Sequence, residues 1–194
     1  MLLSPTQVVP TLPPATYARF KATLPALSLM KTRPAKNQGP RQAGIALDTI
    51  VLHDTESTPT STFERAVRYF ADPQDGRPVS IHYLIGREYA EIVAMVPEHR
   101  KAIHCVNYNN RSIGIELYKK KIDTGDFSDW QYSAVAQLVC DIRLRYGLPQ
   151  SCVRSHDELS GPKTDPRKFD WARFEVHVKS LLLRLKLIDP TLNF

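Results

Sequence analysis

Residues 153–171 read VRSHDELSGPKTDPRKFDW. This segment is called the organising loop, because the other motifs of the chain acquire a meaning in relation to it. It combines a histidine, several carboxylates and two lysines with residues that break regular structure, namely Gly161, Pro162 and Pro166. These breakers predict that only the first four residues are extended and that the rest forms an ordered polar loop. Loops of this kind are where protein scaffolds usually display chemically active side chains.

Two side chains of this loop can bind a metal ion. His156 and Asp165 lie nine positions apart. Lys163 lies two positions before Asp165, and an extended backbone would point both side chains to the same side. Taken alone, a histidine and an aspartate in one loop are more often a hydrogen-bonded surface pair than a metal site. A metal site therefore requires a further ligand elsewhere in the chain.

Length and composition indicate one substantial domain. The chain has 194 residues, of which 42% are hydrophobic, enough to bury a single core. Its longest apolar runs are far shorter than the ~20 residues of a membrane-spanning helix. The start MLLSPTQVVPTLPP has prolines where a secretory signal has its apolar segment. Three cysteines without a CxxC pair do not suggest a disulfide framework.

Positive charge is concentrated near the N-terminus. Residues 1–47 contain six basic residues and no acidic one, so the formal net charge of +6 lies in this segment. Residues 1–44 also hold seven of the 15 prolines, which predicts a basic Pro-rich extension with one short helix, followed by the main folded domain over residues 45–194. Such an extension favours polyanions, including nucleic acid, anionic lipid and phosphate-rich envelope polymers.

The apolar pattern beyond residue 45 predicts four strands before the organising loop and one within it. A β-branched run suits a buried central strand that ends at His53. Two further runs are typical of a hairpin, and the segment SIGIELY alternates between an apolar and a polar side. The predicted strands are residues 48–53, 79–86, 90–96 and 112–118, with VRSH as the fifth.

Three helices are predicted between and after these strands. The first begins with a capping box formed by Ser61 and Glu64, the second spans residues 128–146, and the third follows a cap at Asp170. Alternating strands and helices predict an α/β fold, a single domain with a mixed central β-sheet flanked by helices.

His53 supplies the further ligand that the loop requires. A histidine at the end of a buried strand is held rigidly and can point into a cleft at the edge of the sheet. Two imidazoles and one carboxylate, from His53, His156 and Asp165, would leave a fourth position for water, the arrangement of a catalytic zinc. Nitrogen and oxygen ligands suit zinc without excluding other divalent metals.

Four motifs occur in a fixed order: IVLHDTEST, VSIHYLIG, NNRSIGIEL and SHDELSGPKTDPRKFDW. This ordered set resembles the zinc-dependent N-acetylmuramoyl-L-alanine amidases, the family that also includes phage lysozyme-like amidases and peptidoglycan recognition proteins. The resemblance covers roughly residues 45–188, and the last motif is its most specific part. It implies an amidase-like or recognition-protein-like fold, one Zn²⁺ per chain bound by the three ligands above, and cleavage of the amide between N-acetylmuramic acid and L-alanine.

The resemblance also implies two catalytic side chains, Glu116 and Lys163. Glu116 lies on the polar side of the alternating strand, where a carboxylate can take a proton from water and pass it to the leaving amine. Lys163, beside Asp165, can place positive charge near the developing oxyanion, an effect often worth ~3 kcal/mol. Without the motif order, a strand surface residue and a loop surface charge would be the simpler interpretations.

Substrate-binding residues are predicted in the segment that precedes Glu116. His104 can line the substrate groove, and Asn109 and Asn110 can donate hydrogen bonds to a muropeptide, although a polar turn explains the asparagines equally well. His82 is interpreted as a packed histidine. Cys152, four positions before His156, is interpreted as a buried thiol rather than a ligand.

Three other functions remain open on the sequence. A recognition protein without catalysis would share the fold, but such proteins typically lack a zinc ligand. A nucleic-acid-binding protein would explain the basic extension and leave the ligands unexplained. A cytosolic amidase that recycles anhydro-muropeptides would share the chemistry. The segment DTEST is more similar to wall-degrading members, so we expect an enzyme made in the cytoplasm that acts on the cell wall, in the manner of an endolysin.

Overall fold

The computed structural model describes residues 12–123, 125–161 and 164–192 and confirms the α/β fold with a mixed central sheet. One 3-10 turn, Gln150–Cys152, precedes the last strand. The helices and strands of the described residues are, in chain order, α1 (Pro14–Lys21), α2 (Pro25–Ser28), β1 (Lys31–Thr32), β2 (Gln38–Pro40), β3 (Thr49–Asp54), α3 (Phe63–Ala71), β4 (Tyr83–Ile85), β5 (Ile92–Ala94), β6 (Arg100–Ala102), β7 (Ser112–Leu117), α4 (Asp129–Tyr146), β8 (Val153–Ser155), α5 (His156–Ser160) and α6 (Trp171–Ile188).

The central sheet has the strand order β1-β5-β4-β7-β3-β8, while β2 and β6 form a separate antiparallel pair. In the centre, β3 runs parallel to β7, and His53 is paired with Glu116. β4 runs antiparallel to β5, so the predicted hairpin is confirmed, with shorter strands than predicted. Both β3 and β7 are buried along their whole length, because helices cover the two faces of the sheet.

Each face of the sheet contributes to a different apolar cluster. Ile113 and Ile115 pack with α4 and α6 on one face. Leu84 and Tyr118 pack with α3 on the other face. Side chains two residues apart on a strand share a face, so Glu116 lies on the same face as Tyr118. This side of β7 is nevertheless buried: Ser112 and Glu116 have little exposed surface, and Gly114 lies against the side chains of Ile81 and His104.

Local signals set the ends of the long helices. Ser128 caps α4 in a reciprocal capping box with Gln131, and Gly147 ends the helix with a positive φ of 64°. Asp170 caps α6 as predicted. The capping box predicted at Ser61 is wrong: Thr62 caps α3 and accepts the backbone N–H of Arg65. Both hydroxyl residues are suitable caps, and the position at which the chain turns decides between them.

The described part of the N-terminal extension contains more regular structure than the one predicted helix. Phe20 and Leu24 are buried in the cluster under α4 and α6, and the Tyr17 hydroxyl donates to Asp141 on α4. Farther along, β1 pairs with β5 and adds a strand to the central sheet. The division between extension and catalytic domain at residue 44 stays a prediction. The first eleven residues of the extension lie outside the described residues.

The organising loop also contains a helix that the sequence did not predict. α5 begins at His156 and ends before Gly161, whose φ is 90°. Asp157 and Glu158 lie in its first turn, where acidic side chains stabilise a helix through the positive end of its dipole. None of the helices in the described part of the chain is long and apolar enough to cross a membrane.

Candidate metal centre

The structure brings the three predicted ligands together beside the ends of β3 and β8. These neighbouring strands are parallel, so His53 near the end of β3 and His156 just after β8 emerge at the same edge of the sheet. Asp165 follows in the loop after α5. Its Oδ2 atom lies 2.8 Å from Nδ1 of His156 and 3.3 Å from Nδ1 of His53, and all three ligand atoms lie within 4.8 Å of one another.

Asp54 fixes the loop that presents Asp165. The backbone N–H of Asp54 donates to Oδ1 of Asp165, and the Asp54 carboxylate accepts the backbone N–H of Arg167 at 2.8 Å. The Arg167 guanidinium pairs with Asp54 at 3.3 Å, and Lys119 Nζ donates to the Arg167 carbonyl at 3.2 Å. Strand β3 thus supplies one ligand and, with its next residue, the support for another.

The electrostatics of the cluster keep the Asp165 carboxylate ionised. Burial raises the pKa of Asp165, but hydrogen bonds with His156 and His53 outweigh burial and hold the pKa well below its ordinary value. The hydrogen bond with Asp165, followed by one with Cys105, raises the pKa of His156 to about 9. An ionised carboxylate is the form that a divalent cation requires.

The donor set fits zinc. It consists of two imidazoles and one carboxylate, all largely buried, and contains no thiolate. Cys152 packs in the apolar cluster instead, and burial raises the pKa of its thiol to about 12. Metal binding itself, and the choice of zinc, stay predictions.

Glu116 lies directly beside this cluster. It is paired with His53 across β3 and β7, and paired residues on parallel strands point to the same face. Its side chain is buried. Burial first, and then the negative charges of Asp165 and Asp54, raise the pKa of Glu116 well above its ordinary value. These surroundings favour the protonated form of the Glu116 carboxyl group.

The other predicted site residues have different surroundings. Lys163 lies outside the described residues, so its role stays a prediction. His104 Nδ1 is 2.9 Å from Nε2 of His53. Asn109 Oδ1 accepts the backbone N–H groups of His104 and Cys105, both at 2.9 Å. Asn110 Oδ1 accepts the backbone N–H of Gln42 at 3.0 Å. Both asparagine oxygens thus hold loops, and substrate binding by His104, Asn109 and Asn110 stays a prediction.

His82 is a packed histidine, as the sequence indicated. Its Nδ1 atom accepts the backbone N–H of Gly114 at 3.0 Å, and Nε2 lies 3.1 Å from the Arg100 carbonyl. Burial, followed by the charge of Arg41, lowers the pKa of His82 to about 3, so the ring is neutral. Arg41, from the basic N-terminal segment, also donates to the carbonyl groups of Glu98, Asn109, Asn110 and Ser112.

A family model described as N-acetylmuramoyl-L-alanine amidase matches residues 43–168, which is more than half of the chain. The chain belongs to the N-acetylmuramoyl-L-alanine amidase family. The predicted family, fold and enzyme class are thereby confirmed, and the function is that of a peptidoglycan amidase.

Relatives of the amidase include a curated protein and several solved structures. N-acetylmuramoyl-L-alanine amidase A from Achromobacter lyticus is 28% identical over 162 residues, which cover 73% of this chain and 88% of that protein. The crystal structure of an AmpD selenomethionine derivative has a TM-score of 0.68 at 29% identity, covering 78% of this chain and 95% of that one. The amidase LysC from Clostridium intestinale has a TM-score of 0.58 at 14% identity, covering 77% of this chain and 97% of that one. This likeness is one of fold alone.

Sequence reasoning missed several supporting residues of the amidase. Asp54 and Arg167, which fix the Asp165 loop, are 113 positions apart, so no local pattern joins them. Asp54 directly follows a proposed ligand and Arg167 lies two positions after another, and that adjacency was the available signal. Ser112, 3.2 Å from Nε2 of His104, gave no signal beyond its place on a strand.

Proposed function

We propose that the amidase is zinc-dependent and hydrolyses the amide bond between N-acetylmuramic acid and L-alanine in peptidoglycan. The convergence of His53, His156 and Asp165 next to Glu116 carries the proposal. Three ligands with nitrogen and oxygen donors at the edge of a sheet suit a catalytic zinc, and a buried carboxyl beside them suits proton transfer.

Each side chain has a role that its surroundings support. The three ligands would hold Zn²⁺, which when bound supplies an activated water and polarises the scissile carbonyl. Glu116 is placed to accept a proton in its ionised form and to return it to the leaving nitrogen, because a raised pKa makes its carboxylate a stronger base. Lys163 is proposed to stabilise the oxyanion. Asp54 and Arg167 keep Asp165 in position.

We further propose that the enzyme acts on the intact cell wall, outside the cytoplasm in which it is made. Five of the six bases in the N-terminal segment are exposed, and exposed cations favour an anionic envelope. They are Arg19, Lys21, Lys31, Arg33 and Lys36. Anionic envelope polymers are therefore proposed as a second binding partner.

Digestion of purified sacculi tests the proposal. Three samples are compared: wild type, wild type treated with a chelator, and Glu116→Ala. We expect the wild type to lower turbidity and release new N-terminal alanine, the chelator to abolish both, and added Zn²⁺ to restore them. Glu116→Ala should bind sacculi and release no N-terminal alanine.

Three other outcomes would contradict parts of the proposal. Full activity after chelation, with metal removal verified by elemental analysis, would exclude zinc dependence. Cleavage of soluble anhydro-muropeptides without any release from sacculi would favour a recycling enzyme. Binding of sacculi by the metal-loaded wild type without cleavage would indicate a recognition protein.

A further inference from the structure

A chain of hydrogen bonds leads from the candidate metal centre into the protein. Nε2 of His53 is 2.9 Å from Nδ1 of His104. Nε2 of His104 is 3.2 Å from Oγ of Ser112, and this hydroxyl is 2.8 Å from the carbonyl oxygen of Tyr108. The two imidazole rings meet edge to face, with centroids 5.1 Å apart.

The final acceptor of this chain determines where every hydrogen lies. A backbone carbonyl can only accept, so the Ser112 hydroxyl donates to Tyr108 and its oxygen accepts from Nε2–H of His104. Neutral His104 then has a bare Nδ1, which accepts from Nε2–H of His53. Neutral His53 in turn has its lone pair on Nδ1. Hydrogen-bond partners are the basis on which histidine tautomers are assigned in proteins.

The lone pair of His53 points toward the other proposed ligands. Nδ1 of His53 lies 3.3 Å from Oδ2 of Asp165, a carboxylate oxygen that can only accept. A hydrogen bond across this contact requires a proton on Nδ1 of His53. Because the Nε2 proton is engaged by His104, the Nδ1 proton is the one that a bound cation would replace. The outer end of the chain thus presents His53 in the tautomer that a metal ligand needs.

The position of the His104 ring is restricted by contact with β7 and by a hydrogen bond to the His104 backbone. A methyl group built on Gly114 would lie 2.6 Å from Nδ1 of His104, so the ring rests directly on this glycine of β7. The backbone N–H of His104 is held by Asn109 at 2.9 Å. Ser112 is fully buried on the same strand. The ring therefore has little freedom to turn away from His53.

We propose that His104 is a positioning residue, which with Ser112 fixes the tautomer and ring orientation of the metal ligand His53. The hydrogen-bond chain from His53 through His104 to Ser112 is called the relay below. It rests on the proposed function, because it requires His53 to bind a metal. Metal-binding histidines generally donate their second ring N–H to an acceptor, most often a carboxylate, a backbone carbonyl or water, and loss of that acceptor typically weakens metal binding about 10- to 100-fold.

Zinc affinity of the purified protein, measured by competition with a chromophoric chelator, tests the relay. His104→Ala should weaken Zn²⁺ binding about 10- to 100-fold. Ser112→Ala should weaken it about 10-fold, the lower end of that range. His104→Asn, whose side-chain oxygen can accept from His53, should recover most of the affinity. Unfolding midpoints of the metal-free variants establish that each one is folded.

Ser80→Ala is the matched control. Ser80 is also a fully buried serine, and its Oγ accepts a backbone N–H, that of Ile103, at 2.9 Å without bonding a histidine. We expect it to keep wild-type zinc affinity. An equal loss of affinity in Ser80→Ala and Ser112→Ala would overturn the relay, since loop displacement would then explain both.

Nitrogen-15 NMR of the histidine rings gives a readout that is independent of activity and of the variants. Neutral His104 should carry its proton on Nε2, in the metal-free protein and with Zn²⁺ bound. A proton on Nδ1 of His104 would reverse the chain and overturn the relay. Unchanged zinc affinity in His104→Ala overturns the relay alone, whereas failure of the wild type to bind zinc overturns the proposed function together with it.

Discussion

Two glutamates with largely buried side chains, Glu98 and Glu116, have pKa values that are shifted in opposite directions. Burial raises the pKa of both, and it is the largest influence on each. Hydrogen bonds from Arg145, Tyr83 and Tyr146 then bring the pKa of Glu98 below its ordinary value. For Glu116, the nearby charges are those of Asp165 and Asp54, which raise its pKa further. The same side chain is thus ionised in one part of the molecule and inclined to keep its proton in the other.

The surroundings of Glu98 form a balanced network. Arg145 pairs with Glu98 at 2.8 Å and with Asp141 at 2.9 Å, and Tyr83 donates to Glu98 at 2.6 Å. Tyr17 of α1 donates to Asp141 at 2.6 Å, so the network also ties the N-terminal helix to the core. Paired buried charges of this kind hold parts of a fold together, whereas the carboxylates around Glu116 lie close to histidines that can bind a cation.

The largest expected effect is at the metal centre. His53→Ala should lower kcat on sacculi by more than the ~10⁴-fold upper limit for loss of one acid-base group, because the bound metal is lost with its ligand. Zinc content by atomic absorption and the release of N-terminal alanine measure this. His99→Ala, at an exposed histidine, is the control and should retain both. A zinc-loaded, active His53→Ala protein would contradict the assignment of this ligand.

Glu116→Gln should lower kcat by about 10²- to 10⁴-fold, the usual contribution of a general acid-base group, and leave the zinc content unchanged. The metal-free variant should unfold at a temperature no lower than that of the metal-free wild type. The reason is that the neutral amide replaces a carboxyl group that lies close to the negative charges of Asp165 and Asp54. Kinetics and thermal denaturation check the two parts separately. A large drop in the unfolding midpoint would mean that Glu116 supports the fold in the way that Glu98 does.

Glu98→Gln should have the reverse profile. It leaves Arg145 with Asp141 as its remaining carboxylate, so we expect the free energy of unfolding to fall by about 1.5 to 3 kcal/mol, the usual contribution of hydrogen bonds to a charged group. Urea denaturation measures this loss. The kcat of the folded protein should be unchanged. A stable Glu98→Gln protein with reduced kcat would remove the distinction between the two glutamates.

The pH dependence of stability gives the smallest and most specific effect. The pKa of Glu98 is lowered in the folded protein, so its stabilisation is complete above the ordinary glutamate value of 4.5 and is lost as the pH falls through the lowered pKa. The stability difference between wild type and Glu98→Gln should therefore shrink only in acid. A difference that stays constant from neutral pH down to acid would show that Glu98 acts through packing alone.

Local sequence signals predicted the elements that depend on few residues. The cap at Asp170 acts within one helical turn, and the alternation of residues 112–118 reflects a single strand. Short strands were missed because their hydrogen bonds come from distant residues: Lys31 of β1 pairs with Val93, and Gln38 of β2 pairs with Ala102. Two- and three-residue strands have no periodicity from which to predict them.

The sequence by itself determined the chemical groups of the site: two histidines and an aspartate in an ordered motif set, with Glu116 on an alternating strand. Only the tertiary structure decided which groups face one another. The pKa of Glu116 depends on Asp165 and Asp54, 49 and 62 positions away, and the place of His104 depends on contacts with His53 and with a glycine of β7. Burial and charge act through distance in space, and packing of the sheet and helices sets those distances.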